Sequence, residues 1–308
     1  MVTEPSLASL EVPVVPYRHF PRSSVLFDYW ALTKPEINFL IAITTAGAFW
    51  LGSAEATHFP WLLFLCSVLG TVLVSSGAAT LNQVIERQFD AQMRRTARRP
   101  IAAGRIEPIW ALVFGSLLSA AGILYLALTV RTAASLLGLL TLGWYLLLYT
   151  PLKRRTPMCT LVGAFPGAMP VLIGYVAATG KLDSQAWLLY AILFLWQFPH
   201  FMAIAWMYRE DYARAGYETL PQGKDKTRFM QWQSVLPALA LVPISVASVI
   251  LQHANHTLMV ATLLLGVSFL YFASRLARIR SNGSARQLLL VSIVYLPMVF
   301  ALQVLTRI

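Results

Sequence analysis

Asn82, Glu86 and Asp90 place three oxygen-bearing side chains at intervals of four residues. Each step of four turns a helix by about 400°, so all three stay within roughly 80° of one face. The stretch begins inside an apolar run and leads into Arg94, Arg95, Arg98 and Arg99. Carboxylates repel an anion directly but can hold one through Mg²⁺, which takes one or two carboxylates together with phosphate oxygens. Neighbouring guanidiniums can fork onto the oxygens that remain. The chemistry written here is a cation held against an anion at the end of an apolar segment.

The elements that must position these residues are membrane spans. The chain has 308 residues, 57% of them hydrophobic and only 12% charged. A soluble protein is typically about 25% charged. Apolar runs near the roughly 20 residues needed to cross a bilayer recur along the whole sequence. They do not alternate apolar and polar over about ten residues, as barrel strands would. The reading is all-α: one polytopic membrane domain over residues 26–308, preceded by a loosely ordered cytoplasmic tail at 1–25. Nine spans are expected, near 36–53, 59–84, 108–128, 132–150, 159–179, 186–207, 232–251, 257–275 and 287–305. Cys66 and Cys159 both fall in or beside apolar segments, which argues against a disulfide or a metal cluster.

The net charge of +11 reads first as topology rather than as nucleic-acid binding. All but three of the 24 Lys and Arg (Arg131, Lys181 and Arg307) lie in the tail or in loops on one side. Positive charge marks the cytoplasmic side, so the N-terminus is expected inside and the C-terminus outside. The tail contains Glu4 and Glu11 and has neither an apolar signal core nor an Arg-rich, acid-poor character, which favours a prokaryotic plasma membrane over the mitochondrial inner membrane. Two cytoplasmic loops are long, about 85–107 and 208–231, and long loops in compact proteins are usually functional. They follow the second and sixth spans, which hints at two related halves of four helices plus a ninth.

Seven of the 13 acids (Glu86, Asp90, Glu107, Glu210, Asp211, Glu218 and Asp225) fall in or beside these two loops. Loops are wet, and that suffices for Glu107, Glu218 and Asp225. It does not suffice for Asn82, whose amide lies at the end of an apolar span where an unpaired polar group is costly. Asp211 can supply a ligand from the second loop. Acids and arginines interleaved at a membrane rim suit a diphosphate with a lipid tail, the head at the aqueous edge and the tail among the helices.

The residues then match a known pattern. Asn82…Glu86…Asp90 resembles the first motif, N-x-x-x-D-x-x-x-D, of the UbiA superfamily of intramembrane prenyltransferases. The resemblance extends into its haem O synthase (protohaem IX farnesyltransferase) branch. It is carried by Met93-Arg-Arg-Thr96-x-x-Arg99-Pro100-x-x-x-Gly104-Arg105 and by Tyr149-Thr-Pro-Leu-Lys153-Arg154-x-Thr156, leading into Gly163-x-x-x-Gly167-Ala168-x-Pro170. Trp196-Gln-Phe-Pro199-His200-Phe201, with Asp211-Tyr212-x-x-Ala215-Gly216 further on, is similar to the sixth-span signature. The match runs over about residues 28–305. It implies nine helices around a central cavity and Mg²⁺-dependent ionisation of farnesyl diphosphate. It also implies capture of the allylic cation by a vinyl group of haem B, a substrate rather than a cofactor, with water completing haem O. Asn82, Glu86, Asp90 and Asp211 would then hold metal, and Arg87, Arg95, Arg99, Tyr149 and Lys153 would steady the diphosphate. Haem A synthase or terminal oxidase assembly factors would be partners. The alternative within the superfamily is prenylation of an aromatic quinone precursor.

The chain departs from the pattern in places. Glu86 stands where Asp is usual, and Ala215 stands four residues after Asp211 where the superfamily has a second acid. Tyr217-Glu-Thr replaces a common stretch with a Pro-Met pair, and Cys159 replaces a common Asn. His200 is the histidine well inside a span. It reads either as a packing residue or as a contact to haem B, through the iron or as an orienting partner. Pro199 is expected to bend the helix beside it. Tyr145, Tyr149, Trp196, Phe198, Phe201 and Trp206 read mainly as anchors and core, with one or two available to shield a cation through their ring faces. Arg154 and Arg155 read as topology signals or as weak partners for haem propionates.

Overall fold

The computed structural model describes residues 24–53, 57–220, 225–252 and 254–306. Nearly all of the expected tail, and the side chain of Asp225, lie outside them. Every described element is helical: α1 Val25–Leu32, α2 Pro35–Gly52, α3 Trp61–Asp90, α4 Pro108–Thr129, α5 Thr132–Gly143, α6 Thr150–Leu152, α7 Cys159–Thr179, α8 Ser184–Met207, α9 Arg209–Arg214, α10 Asp225–Ile250, α11 His256–Ile279 and α12 Asn282–Leu305. A wide π-helical segment, Trp144–Tyr149, joins α5 to α6 and makes them one span. Each of the nine expected spans has its helix. Eight are long and apolar enough to cross a membrane. The other is α2, whose opening Pro35, Glu36 and Asn38 dilute its apolar character.

α3 has 30 residues. At 1.5 Å per residue it is about 45 Å long, against a hydrocarbon thickness of about 30 Å. Counted from Trp61, the apolar layer is crossed near Thr80, and Asn82 to Asp90 emerge beyond it. The length of this helix is what brings the stripe to the rim.

Small residues let the helices approach closely, as packing within a membrane requires. A side-chain carbon on Gly77 of α3 would collide with Ser119 of α4, and one on Gly174 of α7 would collide with the Thr45 carbonyl of α2. The largest core gathers α8, α10, α11 and α12 around Met230, Phe269, Leu276 and Tyr295. A second gathers Leu51 of α2, Leu172 and Tyr175 of α7, and Leu189 and Leu193 of α8. α7 thus ties the expected first half to the second. Pro199 lies inside α8, which continues unbroken to Met207.

Two contacts tie α1 to α3 and to the loop that follows it. Arg105 pairs with buried Asp28 of α1 at 3.0 Å. Gln83 Nε2 donates to the Leu32 carbonyl at 2.8 Å, holding α1 on α3.

Candidate active site

The α3 stripe is buried: Asn82 and Asp90 are each 1% exposed and Glu86 5%. Each polar group has a basic or hydroxyl partner from another part of the chain. Lys34 Nζ donates to Asn82 Oδ1 at 3.1 Å, and Asn82 Nδ2 donates to Thr150 Oγ1 at 3.2 Å. Lys153 Nζ meets Glu86 Oε1 at 2.8 Å. Arg99 Nη1 lies 2.8 and 2.7 Å from the two oxygens of Asp90. Thr96 Oγ1 donates to the Asp90 carbonyl at 2.9 Å, closing the turn that folds Arg99 back over the helix end.

The π-helical segment places the aromatic side of the site. Thr150 Oγ1 donates to the Tyr145 carbonyl five residues back at 2.8 Å, which matches the wide turn. Such widened turns often mark functional sites. Here the turn sets Tyr145 and Tyr149 side by side at 5.4 Å and puts Lys153 Nζ 4.6 Å from the centre of the Tyr149 ring. Gly163 of α7 makes room for that ring, since a side-chain carbon there would sit 2.5 Å from Tyr149 Cε2.

Buried cations dominate the electrostatics of the site. Burial pulls the Lys34 ammonium down to about 7, and Arg99 and Lys153 add repulsion. Burial also acts to lower Lys153, but Tyr149 and Glu86 more than offset it and hold Lys153 well above its ordinary value.

The second long loop covers the first. Glu218 N donates to the Lys153 carbonyl at 3.0 Å. Met93, Ala215 and Tyr217 form a small buried core with Phe89 and Tyr212. Arg95 is exposed and lies 5.1 Å from the Tyr208 ring centre, with Nη2 3.4 Å from the Tyr212 hydroxyl. Asp211 pairs with Arg214, its neighbour on α9. Arg87 projects away from the stripe and donates to the Val84 carbonyl of its own helix at 2.9 Å. Of the expected site residues, Asn82, Glu86, Asp90, Arg99, Tyr149 and Lys153 therefore converge. Arg95 sits on the seam between the loops, Asp211 pairs within α9, and Arg87 and His200 stand apart.

Two site residues escaped the sequence reading. By sequence Lys34 is one of the many cations on the cytoplasmic side; its left-handed backbone, φ 52°, ahead of Pro35 is what turns its side chain onto Asn82. Tyr217 is 7% exposed, and its hydroxyl is buried without a hydrogen-bond partner. Burial, with Glu86 adding, raises Tyr217 far above the ordinary phenol value, so it stays a neutral O–H donor. A lysine directly before a helix-starting proline was the available signal for Lys34; for Tyr217 there was none.

Among the described residues no three His, Cys, Asp or Glu side chains converge as a metal cage. Mg²⁺ is rarely held by such a cage and more often uses one or two carboxylates plus substrate phosphates. The donor set of Asn82 Oδ1, Glu86 and Asp90, all hard oxygens on one buried stripe, fits that mode.

Comparison with known proteins identifies the family. The model of the UbiA prenyltransferase family matches residues 40–296. A protoheme IX farnesyltransferase of Solibacter usitatus is 45% identical over 289 residues, covering 91% of this chain and 98% of that protein. One of Koribacter versatilis is 42% identical, covering 92% and 94%. A digeranylgeranylglyceryl phosphate synthase shares the fold with TM-score 0.75 at 16% identity, over 92% of this chain and 98% of that one. A UbiA homologue of Archaeoglobus fulgidus bound to GPP and Mg²⁺ does so with TM-score 0.58 at 14% identity, over 89% and 99%. With the family model matched over most of its length and relatives aligned nearly end to end, this multi-pass membrane chain belongs to the UbiA prenyltransferase family.

Proposed function

We propose that the chain transfers the farnesyl group of farnesyl diphosphate to a vinyl group of haem B, with water completing the hydroxyethylfarnesyl product, haem O. The observation that carries this is the pairing of Asn82, Glu86 and Asp90 with Lys34, Lys153 and Arg99, a buried cluster of hard oxygens and cations at the end of an apolar helix. The named relatives support the choice of prenyl donor and acceptor.

When bound, Mg²⁺ would be held by Asn82, Glu86 and Asp90, with Asp211 as the candidate from the second loop, and would neutralise charge on the diphosphate. Lys34, Lys153 and Arg99 act where negative charge develops as the allylic C–O bond breaks. A site kept dry by the surrounding apolar helices would let the cation meet the vinyl carbon before water does. No side chain need act as a nucleophile. A prokaryotic plasma membrane with the N-terminus inside puts this rim in the cytoplasm, where farnesyl diphosphate is dissolved. Haem A synthase or terminal oxidase assembly factors would receive the product.

Extraction of haems from cells with and without the protein tests the reading: a new, more hydrophobic haem is expected. Asp90→Ala should insert normally and lose turnover by about 100-fold, the scale of removing one strong electrostatic stabiliser. Normal haem O yield from purified Asp90→Ala would reject the metal and diphosphate assignment. A prenylated quinone precursor instead of a new haem would favour the aromatic alternative.

A further inference from the structure

α8 carries two side chains whose partners orient the helix. Gln197 Nε2 donates to the Ala164 carbonyl of α7 at 3.2 Å, and Trp196 Nε1 donates to the Ser292 carbonyl of α12 at 2.8 Å. At 100° per residue, His200 projects between them, about 40° from Trp196 and about 60° from Gln197. Its imidazole therefore lies on the face of α8 between the contacts to α7 and α12.

The ring is held firmly. Trp196 stacks on it with centroids 4.6 Å apart, and Phe201 meets it edge-on at 5.5 Å. His200 Nδ1 lies 2.7 Å from Ser292 Oγ. Ser292 has one hydroxyl hydrogen, and its Oγ is also 2.6 Å from the Leu289 carbonyl, which can only accept. The hydroxyl hydrogen goes to Leu289, so Ser292 Oγ receives a hydrogen from His200 Nδ1. A neutral imidazole protonated at Nδ1 carries its lone pair on Nε2. No hydrogen-bond partner for Nε2 is present among the described residues, and Nε2 is not one of the sealed polar atoms. An imidazole anchored through its far N–H, with the other nitrogen open, is the arrangement of a metal-binding histidine and its orienting partner.

We propose that Ser292 is a positioning residue that fixes His200 as the Nδ1–H tautomer and so presents Nε2 as an axial ligand to the iron of the haem acceptor. This rests on the haem reading of the preceding section. A packing role for His200 would need neither the tautomer nor the open nitrogen.

The test uses the purified full chain in lipid nanodiscs, titrated with ferric haem B and with metal-free protoporphyrin IX. Wild type should bind haem B with a histidine-ligated absorption spectrum. His200→Ala should lose that spectrum, and added imidazole should restore it. Ser292→Ala should weaken haem B binding about 10-fold, the scale of losing an orienting partner to a metal ligand, and shift the spectrum. Ser292→Thr, which keeps the hydroxyl, should retain both. Protoporphyrin IX should bind all four proteins alike, which also reports an intact fold. A wild-type spectrum and affinity in Ser292→Ala, or equal losses for haem B and protoporphyrin IX, would overturn the proposal. Wild type is also assayed with farnesyl diphosphate and haem B. Absence of a farnesylated haem there rejects the proposed function itself, whereas product formation with unchanged variant spectra rejects only the role of Ser292 and His200.

Discussion

Lys153 Nζ lies 2.8 Å from Glu86 Oε1, joining the end of the fourth span to the middle of the acidic stripe across 67 residues of sequence. The pair is mostly buried, with side-chain exposures of 17% and 7%. Breaking a buried pair by removing one partner costs about 3–5 kcal/mol, so about 2 kcal/mol is expected once partial exposure is allowed for. Glu86→Gln should therefore lower thermal stability and cut turnover by about 100-fold. Glu86→Asp keeps the charge and draws the carboxylate back by about 1.5 Å, one carbon–carbon bond. It should stay folded and lose less activity than Glu86→Gln. Turnover and Mg²⁺ titrations of the two variants check this, and equal losses would show that charge at this position is irrelevant.

Lys34 is a non-glycine residue with φ 52° and ψ 65°. A left-handed backbone costs an ordinary residue about 1–2 kcal/mol, and glycine adopts it freely. Lys34→Gly should accordingly raise the melting temperature or leave it unchanged while raising KM for farnesyl diphosphate, because the ammonium on Asn82 is lost. Lys34→Arg should retain much of the binding. If Lys34→Gly bound the diphosphate as well as wild type, the strain at this position would have no functional counterpart.

Tyr217 offers a separate test of the loop that closes over the site. Its ring packs 6.1 Å from Phe89 and 6.0 Å from Tyr212, and its buried hydroxyl has no hydrogen-bond partner. An unsatisfied buried polar group costs about 1–3 kcal/mol, so Tyr217→Phe should match or exceed wild type in stability. If the hydroxyl donates to the diphosphate during turnover, the same variant should lose kcat several-fold. A scan of melting temperature against kcat separates the two effects, and unchanged kcat would leave Tyr217 as packing alone.

The fold was legible because its signals are long-range averages. Nine apolar runs and a one-sided distribution of Lys and Arg need no tertiary knowledge, and each run became a helix. The stripe was legible because intervals of four survive intact on a helix. What the sequence hid were contacts set by tertiary geometry. Arg87 follows Glu86 directly, yet one residue is 100° of helix rotation, enough to turn it off the stripe and onto the Val84 carbonyl. Lys34 lies 48 residues from Asn82 and reaches it through an uncommon backbone conformation that composition does not reveal. Ser292 lies 92 residues from His200, and nothing in local spacing joins them.

Gly163 tests whether the position of Tyr149 matters to chemistry or only to packing. A side-chain carbon at Gly163 would fall 2.5 Å from Tyr149 Cε2 and 2.7 Å from Cδ2, too close for either ring or helix to ignore. The ring would have to leave its place 4.6 Å under Lys153 Nζ, loosening the support that aims Lys153 at Glu86. Overpacking of this kind typically costs about 1–3 kcal/mol. Gly163→Ala should therefore destabilise modestly and reduce turnover. Tyr149→Leu, placed in the same background to remove the clashing ring edge, should recover stability without recovering rate. The double variant measured against each single change decides the matter: recovery of both stability and rate would mean that Tyr149 fills space and that Lys153 needs no aromatic support.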